Sequence, residues 1–259
     1  MNLNLYNITR GVGVRGQAGS PPSIIEITSR RGFLGDSQTD GRAYATPSAV
    51  SHQVAFTNIW AENSLGTVDF NGTGTGWGVG SRSLQETLDF IDTQSLTDPF
   101  TFFIQESGDQ DNDGQRTASE FATTLYNGIV ALKADYPLAM FFYETAFSFG
   151  RKAEAYRNWD SYNAELPGIV SSLAGVGITL HIVPVCAVIE ELETILAPSD
   201  VWLQAGHPYQ FHFTGLGNFA VAMTHLHYQG HDITTLAHTS IIVDGTQKQA
   251  AIDTILAVA

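Results

Sequence analysis

The residues with the clearest chemical potential are Gly35-Asp36-Ser37, which directly follow the short apolar run Arg31-Gly32-Phe33-Leu34. A serine on a tight strand-to-helix turn presents its hydroxyl, and the same turn aims backbone N–H groups at whatever the hydroxyl attacks. Read in isolation, the tripeptide also suits an ordinary loop turn. A serine nucleophile needs a base, and one stands far downstream. His212 precedes Phe213-Thr214-Gly215-Leu216-Gly217-Asn218-Phe219, a short loop and then a helix opened by glycine. A serine and a histidine so arranged can carry out acyl transfer, provided that they meet in space.

Together the two segments resemble the SGNH hydrolase superfamily, also called GDSL-type esterases. Gly35-Asp36-Ser37 matches the first block of that family, and His212 with Gly217 matches its closing His-x-x-x-x-Gly. Phe70-Asn71-Gly72-Thr73-Gly74-Thr75-Gly76-Trp77-Gly78 takes the place of the second block, whose glycine N–H helps hold the oxyanion. Phe102-Phe103-Ile104-Gln105-Glu106-Ser107 is similar to the Gln-Glu-Ser variant of the third block, found in carbohydrate-esterase-like branches. Val183-Pro184-Val185, followed by an acidic helix, fits the strand before the histidine loop, so the resemblance runs from Ser29 to the end.

The resemblance implies an α/β fold, a flavodoxin-like three-layer αβα sandwich around a central parallel sheet. It implies Ser37 as nucleophile and His212 as base. The oxyanion hole would comprise the Ser37 N–H, a glycine N–H (Gly76 first, Gly78 second) and the Gln105 carboxamide in place of the family's asparagine. Two departures stand out. Many members carry Asp three residues before the histidine, where this chain has Tyr209, and the usual Gly-x-Asn-Asp is missing. The expectation is therefore a Ser37–His212 dyad whose imidazole is oriented by a main-chain carbonyl. His207, in His207-Pro208, is a competing base, but no glycine stands five residues after it.

The elements that must position these groups alternate along the chain. Extended segments are expected at Ile24–Thr28, Arg31–Leu34, Gly66–Phe70, Phe100–Gln105, Leu138–Tyr143 and Ile178–Val185. Helices are expected at Ser48–Asn58, Leu84–Asp92, Thr117–Asp135, Tyr162–Ala174, Val188–Leu196, Gly215–Tyr228 and Lys248–Val258. Such alternation implies a parallel sheet covered on both faces, with the chemistry at the carboxyl ends of its strands. Residues 24–259 read as one catalytic domain. Residues 1–23, rich in Asn, Gly and Pro, read as an N-terminal arm suited to contact with a second copy of the chain.

A second motif is independent of the first. Asp109-Gln110-Asp111-Asn112-Asp113-Gly114-Gln115-Arg116-Thr117-Ala118-Ser119-Glu120 has the spacing of a calcium loop. Calcium takes six to eight hard oxygen ligands on a sharply turning loop. Asp109, Asp111 and Asp113 would supply alternate carboxylates, Gln115 a carbonyl, Thr117 a direct or water-mediated contact, and Glu120 a closing bidentate carboxylate. A strand, not a helix, leads in, so such a site would be structural. The competing reading is a solvated acidic loop with Thr117 or Ser119 capping the next helix.

Composition narrows the partners. The chain has 259 residues, a net charge of −14 and three lysines. Such a balance argues against nucleic acid or an anionic membrane surface and suits a neutral, sugar-like ester. No apolar run approaches bilayer length, and the first residues lack the pattern of a signal peptide. Few lysines and a calcium loop lean towards an extracellular or virion-surface setting. The lone Cys186 excludes an internal disulfide and sits in a buried-strand pattern. His225, His227 and His231 are expected on a solvent-facing helix end instead of a zinc site, because residues i and i+2 of a helix face apart. Trp77 and Trp159 are candidates for stacking on a sugar ring. The resemblance, with its Gln-Glu-Ser block, implies a serine esterase that removes acyl groups such as acetyl from a carbohydrate through an acyl-enzyme. The alternative is a glycan-binding module on the same fold; a lipase or thioesterase would need an acyl groove that no segment reveals.

Overall fold

The computed structural model describes residues 30–35, 52–65, 69–70, 77–78, 83–94, 96, 98–105, 117–145, 159–202 and 213–258. In chain order the elements are β1 (Arg30–Gly35), α1 (His52–Glu62), β2 (Asp69–Phe70), β3 (Trp77–Gly78), α2 (Leu84–Asp92), β4 (Thr101–Gln105) and α3 (Ala118–Asp135). Then follow β5 (Met140–Glu144), α4 (Trp159–Gly175), β6 (Leu180–Val183), α5 (Val185–Ile195), α6 (Pro198–Val201), α7 (Gly215–Tyr228) and α8 (Gly245–Val258). The expected arm, residues 1–23, and the expected strand Ile24–Thr28 lie outside the described residues.

Local signals explain why these elements begin where they do. Ser83 and Thr117 each form a capping box with the glutamate three residues on, Glu86 and Glu120, which satisfies the first N–H groups of α2 and α3. Along α3, Phe121, Leu125, Ile129 and Leu132 recur at helical spacing and are buried. In β4 every residue is buried, as befits a strand covered on both faces.

Among the described residues the strands pair in parallel, in the order β2–β1–β4–β5–β6, with β3 also against β1. Arg30 and Arg31 pair with Asp69 and Phe70, whereas Leu34 and Gly35 pair with Trp77 and Gly78. β2 and β3 therefore occupy one strand position in two pieces, and the order becomes the flavodoxin-like 2-1-3-4-5. Its switch point, where successive connections leave in opposite directions, falls between β1 and β4.

Helices cover both faces. On one, α2, α3 and α4 enclose Leu34, Phe102, Ile104, Phe141 and Tyr143. On the other, α1, α5 and α7 pack over Phe33, Phe103, Phe142 and Val183, and α8 lies behind α5 and α7. This makes the three-layer αβα sandwich anticipated above. Phe33, Phe103, Phe142 and His181 are successive register partners across β1, β4, β5 and β6, and their rings stack at 4.5, 5.2 and 4.8 Å. Each such aromatic pair is worth about 0.5–1.5 kcal/mol beyond the area it buries.

Several element ends lie a few residues from those expected, as in α1, α4, β6 and α8, and two further differences bear on the interior. The strand expected to run through Val185 stops at Val183, and Cys186 lies on α5, buried at 8% exposure. Pro184 ends the ladder because it has no N–H to donate, and α5 begins immediately after it. The second difference concerns α7, whose residues Leu216–Leu226 are all buried. His225 is therefore an interior residue, not part of a solvent-facing end. The segment after α7 supplies the cover, with Ile233 and Ile241 buried in the same core. Among the described residues, no helix is long and apolar enough to cross a membrane.

Candidate active site

Ser37 lies outside the described residues, but its approach does not. β1 ends at Gly35, with Leu34 paired to Ile104 of β4 and to Trp77 of β3. Gln105 closes β4 beside Gly35, on the other side of the switch point. In an open parallel sheet this is the crevice where ligands bind. The Gln105 side chain is 3% exposed and lies on the same face as Phe103, the face that α7 covers. Gly76 and the alternative base His207 are outside the described residues. Gly78 ends β3, and the side chains of Trp77 and Trp159 are not described.

His212 is also outside the described residues, yet the residues after it are firmly held. Phe213 forms an antiparallel bridge with Trp202, and the two rings stack at 4.5 Å. The Thr214 N–H donates to the Val201 carbonyl at 2.8 Å, the Thr214 hydroxyl donates to the Asp200 carbonyl, and that hydroxyl accepts from the Gly217 N–H at 3.3 Å. The Trp202 indole N–H in turn donates to Glu193. Trp202 and Phe213 thus fasten the two ends of the 203–212 segment together.

Gly217 explains the His-x-x-x-x-Gly spacing in physical terms. A Cβ at this position would lie 2.6 Å from Phe213 Cδ1, 2.7 Å from the Val201 carbonyl oxygen and 2.8 Å from Phe213 Cβ. The first turn of α7 therefore rests directly on the residue that follows His212, an approach open only to glycine.

The direction of α7 fixes which edge of the sheet this loop serves. His225 packs edge-on against Phe33 and Phe103 near mid-strand, at 6.0 and 5.2 Å. Six residues later His231 packs against Trp60, whose indole carries the guanidinium of Arg31 at the amino end of β1. The chain thus moves towards the amino edge as it leaves α7. Gly215, ten residues before His225, lies roughly 15 Å back along the helix, towards the carboxyl edge. The flanks of Ser37 and of His212 share that edge.

One polar pair near this edge escaped the sequence reading. His225 Nε2 lies 2.7 Å from Glu144 Oε1, with the two side chains 0% and 1% exposed. Glu144 ends β5 as the register partner of Gln105. The imidazole Nδ1 is buried without a hydrogen-bond partner. Nε2 is therefore the ring atom that holds the imidazole to the end of β5. A terminal acid on an apolar strand hints at such pairing, but its partner is 81 residues away.

Of the six calcium ligands expected from sequence, Asp109, Asp111, Asp113 and Gln115 lie outside the described residues. Glu120 Oε2 accepts from the Thr117 N–H at 2.7 Å and hydroxyl at 2.9 Å. That is the capping arrangement of the competing reading, and a metal would have to share this carboxylate with it.

No family model matches the sequence, and the comparison with curated proteins finds no relative. Solved structures do match. An acetylxylan esterase, Axe2 from Geobacillus stearothermophilus, superposes with a TM-score of 0.60 at 17% identity, covering 82% of this chain and 98% of that one. A Clostridium thermocellum family 3 carbohydrate esterase gives 0.57 at 18% identity, covering 76% and 92%. A member of the lipolytic G-D-S-L family from Veillonella parvula gives 0.55 at 17%, covering 76% and 96%. With its parallel sheet, its order of strands and the Gly-Asp-Ser after β1, the chain has the fold of the SGNH, or GDSL-type, hydrolases.

Proposed function

We propose that this chain is a serine esterase that removes acyl groups, acetyl foremost, from a carbohydrate. Ser37 attacks the ester carbonyl while His212 takes its proton. An acyl-enzyme forms, the alcohol leaves with that proton, and water activated by His212 releases the acid. The Ser37 N–H, the Gly76 N–H and the Gln105 carboxamide stabilise the tetrahedral oxyanion. The observation that carries this reading is the shared carboxyl edge at the switch point. β1 ends two residues before Ser37, β4 ends on Gln105, and the buried helix α7 begins just after His212 with its start towards that same edge. The esterases of matching fold support the same chemistry and the expected acetyl preference by analogy.

We further propose that the 109–120 loop holds a structural calcium ion through Asp109, Asp111, Asp113, Gln115, Thr117 and Glu120, that the 1–23 arm mediates self-association, and that the protein works outside the cell or on a virion. The ligand spacing supports the first of these, and the low lysine content suits the last. Tyr209, in place of an orienting carboxylate, favours a second reading in which the fold binds glycans with little turnover. Hydrolysis of 4-nitrophenyl acetate and of acetylated xylo-oligosaccharides by wild type and Ser37→Ala separates the two. Turnover that falls at least roughly a thousandfold in the variant supports the esterase. Equal rates in both proteins refute it.

A further inference from the structure

The amino edge of the sheet, opposite the proposed esterase centre, carries an unusual group of buried polar atoms. Arg31, the second residue of β1, is 1% exposed. Its guanidinium carbon lies 4.4 Å from the centre of the Trp60 indole and 5.8 Å from that of the Phe56 ring. The half-buried His231 meets the same indole edge-on at 5.4 Å. Gln229, two residues earlier at the end of α7, is fully buried. Arg31 Nε and Nη1, both amide atoms of Gln229, and His231 Nε2 have no hydrogen-bond partner among the described residues. Buried polar groups are almost always paired, and orphaned atoms on Arg31 and His231 around one indole, with Gln229 two residues from His231, point to a ligand or ordered solvent.

The charge narrows the ligand. Burial pushes the Arg31 guanidinium down to about 10, so it is still a cation at neutral pH. An aromatic face compensates only part of the hydration a guanidinium loses on burial. Glu62, at the end of α1, is engaged by Thr239 and by the backbone and hydroxyl of Ser240. Planar N–H donors of this kind match the oxygens of carboxylates and phosphates.

We propose that Arg31, stacked on Trp60, anchors a binding site for a small oxyanion, a carboxylate or phosphate, at the amino edge of the sheet. Gln229 and His231 supply the other polar atoms of the site, and the partly exposed side of His231 gives access. This site is independent of the Ser37–His212 chemistry.

Thermal unfolding tests it, with wild type, Arg31→Met and Gln229→Leu in a zwitterionic buffer at pH 7. Sodium chloride, acetate and phosphate are added at equal ionic strength. Because the chain is strongly acidic, chloride gives the general salt response. The expected wild-type result is a saturable extra rise with one oxyanion, about 3–5 °C per tenfold concentration above half-saturation. Acetate and phosphate separate the two candidate ligands. Arg31→Met should unfold at a higher temperature than wild type in chloride, since an unpaired buried cation has gone, and should lose the oxyanion increment. Gln229→Leu should keep a weakened increment. Equal responses to chloride and both oxyanions in wild type would overturn the proposal. So would an Arg31→Met protein that is less stable in every buffer, because Arg31 would then be satisfied by the chain itself. Calorimetric titration of wild type with phosphate and acetate decides the question even where a variant does not fold: saturable heat from one of them supports the site, and its absence from both refutes it.

Discussion

Replacing Gly217 by alanine should destabilise the protein and impair catalysis together, although alanine is the better helix former. The added methyl would lie 2.7 Å from the Val201 carbonyl oxygen and within 2.8 Å of two Phe213 carbons. Neither neighbour can withdraw cheaply. The carbonyl accepts from the Thr214 N–H, and Phe213 is stacked on Trp202 with 2% of its surface exposed. Overpacking of this kind costs about 1–3 kcal/mol. The propensity gain of alanine over glycine reaches about 1 kcal/mol in a helix interior and is smaller in a first turn. The net loss is then roughly 1–2 kcal/mol, or about 2–8 °C in Tm for a chain of this size. Phe213 directly follows His212, so its displacement carries the proposed base with it. A misplacement near 1 Å is worth up to about a hundredfold in kcat, with KM less affected. Urea and thermal unfolding measure the first effect, and 4-nitrophenyl acetate kinetics the second. Gly168→Ala on α4 is the control, since its Cβ meets nothing within 4 Å and it should gain stability. If Gly217→Ala proves as stable as Gly168→Ala, the close-approach account of this glycine is wrong.

Other perturbations have equally definite outcomes. His225→Leu should cost about 1–3 kcal/mol in urea unfolding by taking the Nε2 contact from the buried Glu144 carboxyl, and the double variant with Glu144→Leu should lose less than the sum of the two single variants; simple additivity would refute the pairing. Burial holds His181, His227 and His231 below the ordinary imidazole range, so the unfolded chain takes up protons at a higher pH than the folded one. Stability should therefore be complete above about pH 6.5 and fall as the pH drops from there, and an unchanged urea midpoint between about pH 7.5 and 5.5 would contradict this. Calcium should raise the Tm of wild type over that in a chelator, and Asp111→Asn should abolish the difference. The same increment in that variant would remove the metal from the 109–120 loop.

The fold was legible wherever one segment carried its own instructions. α2 runs from Leu84 to Asp92 as expected, because a capping box starts it and Leu84, Leu88 and Ile91 mark its buried side. α7 likewise keeps its expected limits, with Thr214 capping the first turn. Errors arose where apolar character crossed a boundary. Ile182-Val183-Pro184-Val185-Cys186 is continuous in hydrophobicity, and only the proline marks the change from β6 to α5. α6 and β3 are too short for any period to register.

The site divides along the same physical line. Residues at strand ends are readable because a parallel sheet is apolar within and polar at its edges, so Gln105 and the approach to Ser37 could be located from sequence. The glycine after His212 was readable only as a family pattern, and its cause, contact with Phe213 and Val201, needed coordinates. Long-range pairing was not readable at all. Glu144 ends a strand and His225 sits in a helix whose sequence offers no contrasting polar face, so nothing local says that they meet. Yet this contact has mechanical consequences for the proposed chemistry. A helix buried on every side is positioned by packing, which tolerates small slides, whereas a 2.7 Å bond to a strand end does not. The pair sets the height of α7 against β5, and the start of α7 sets the height of Phe213. Glu144 and His225 therefore help to set where α7 begins, and with it the position of the residue that follows His212.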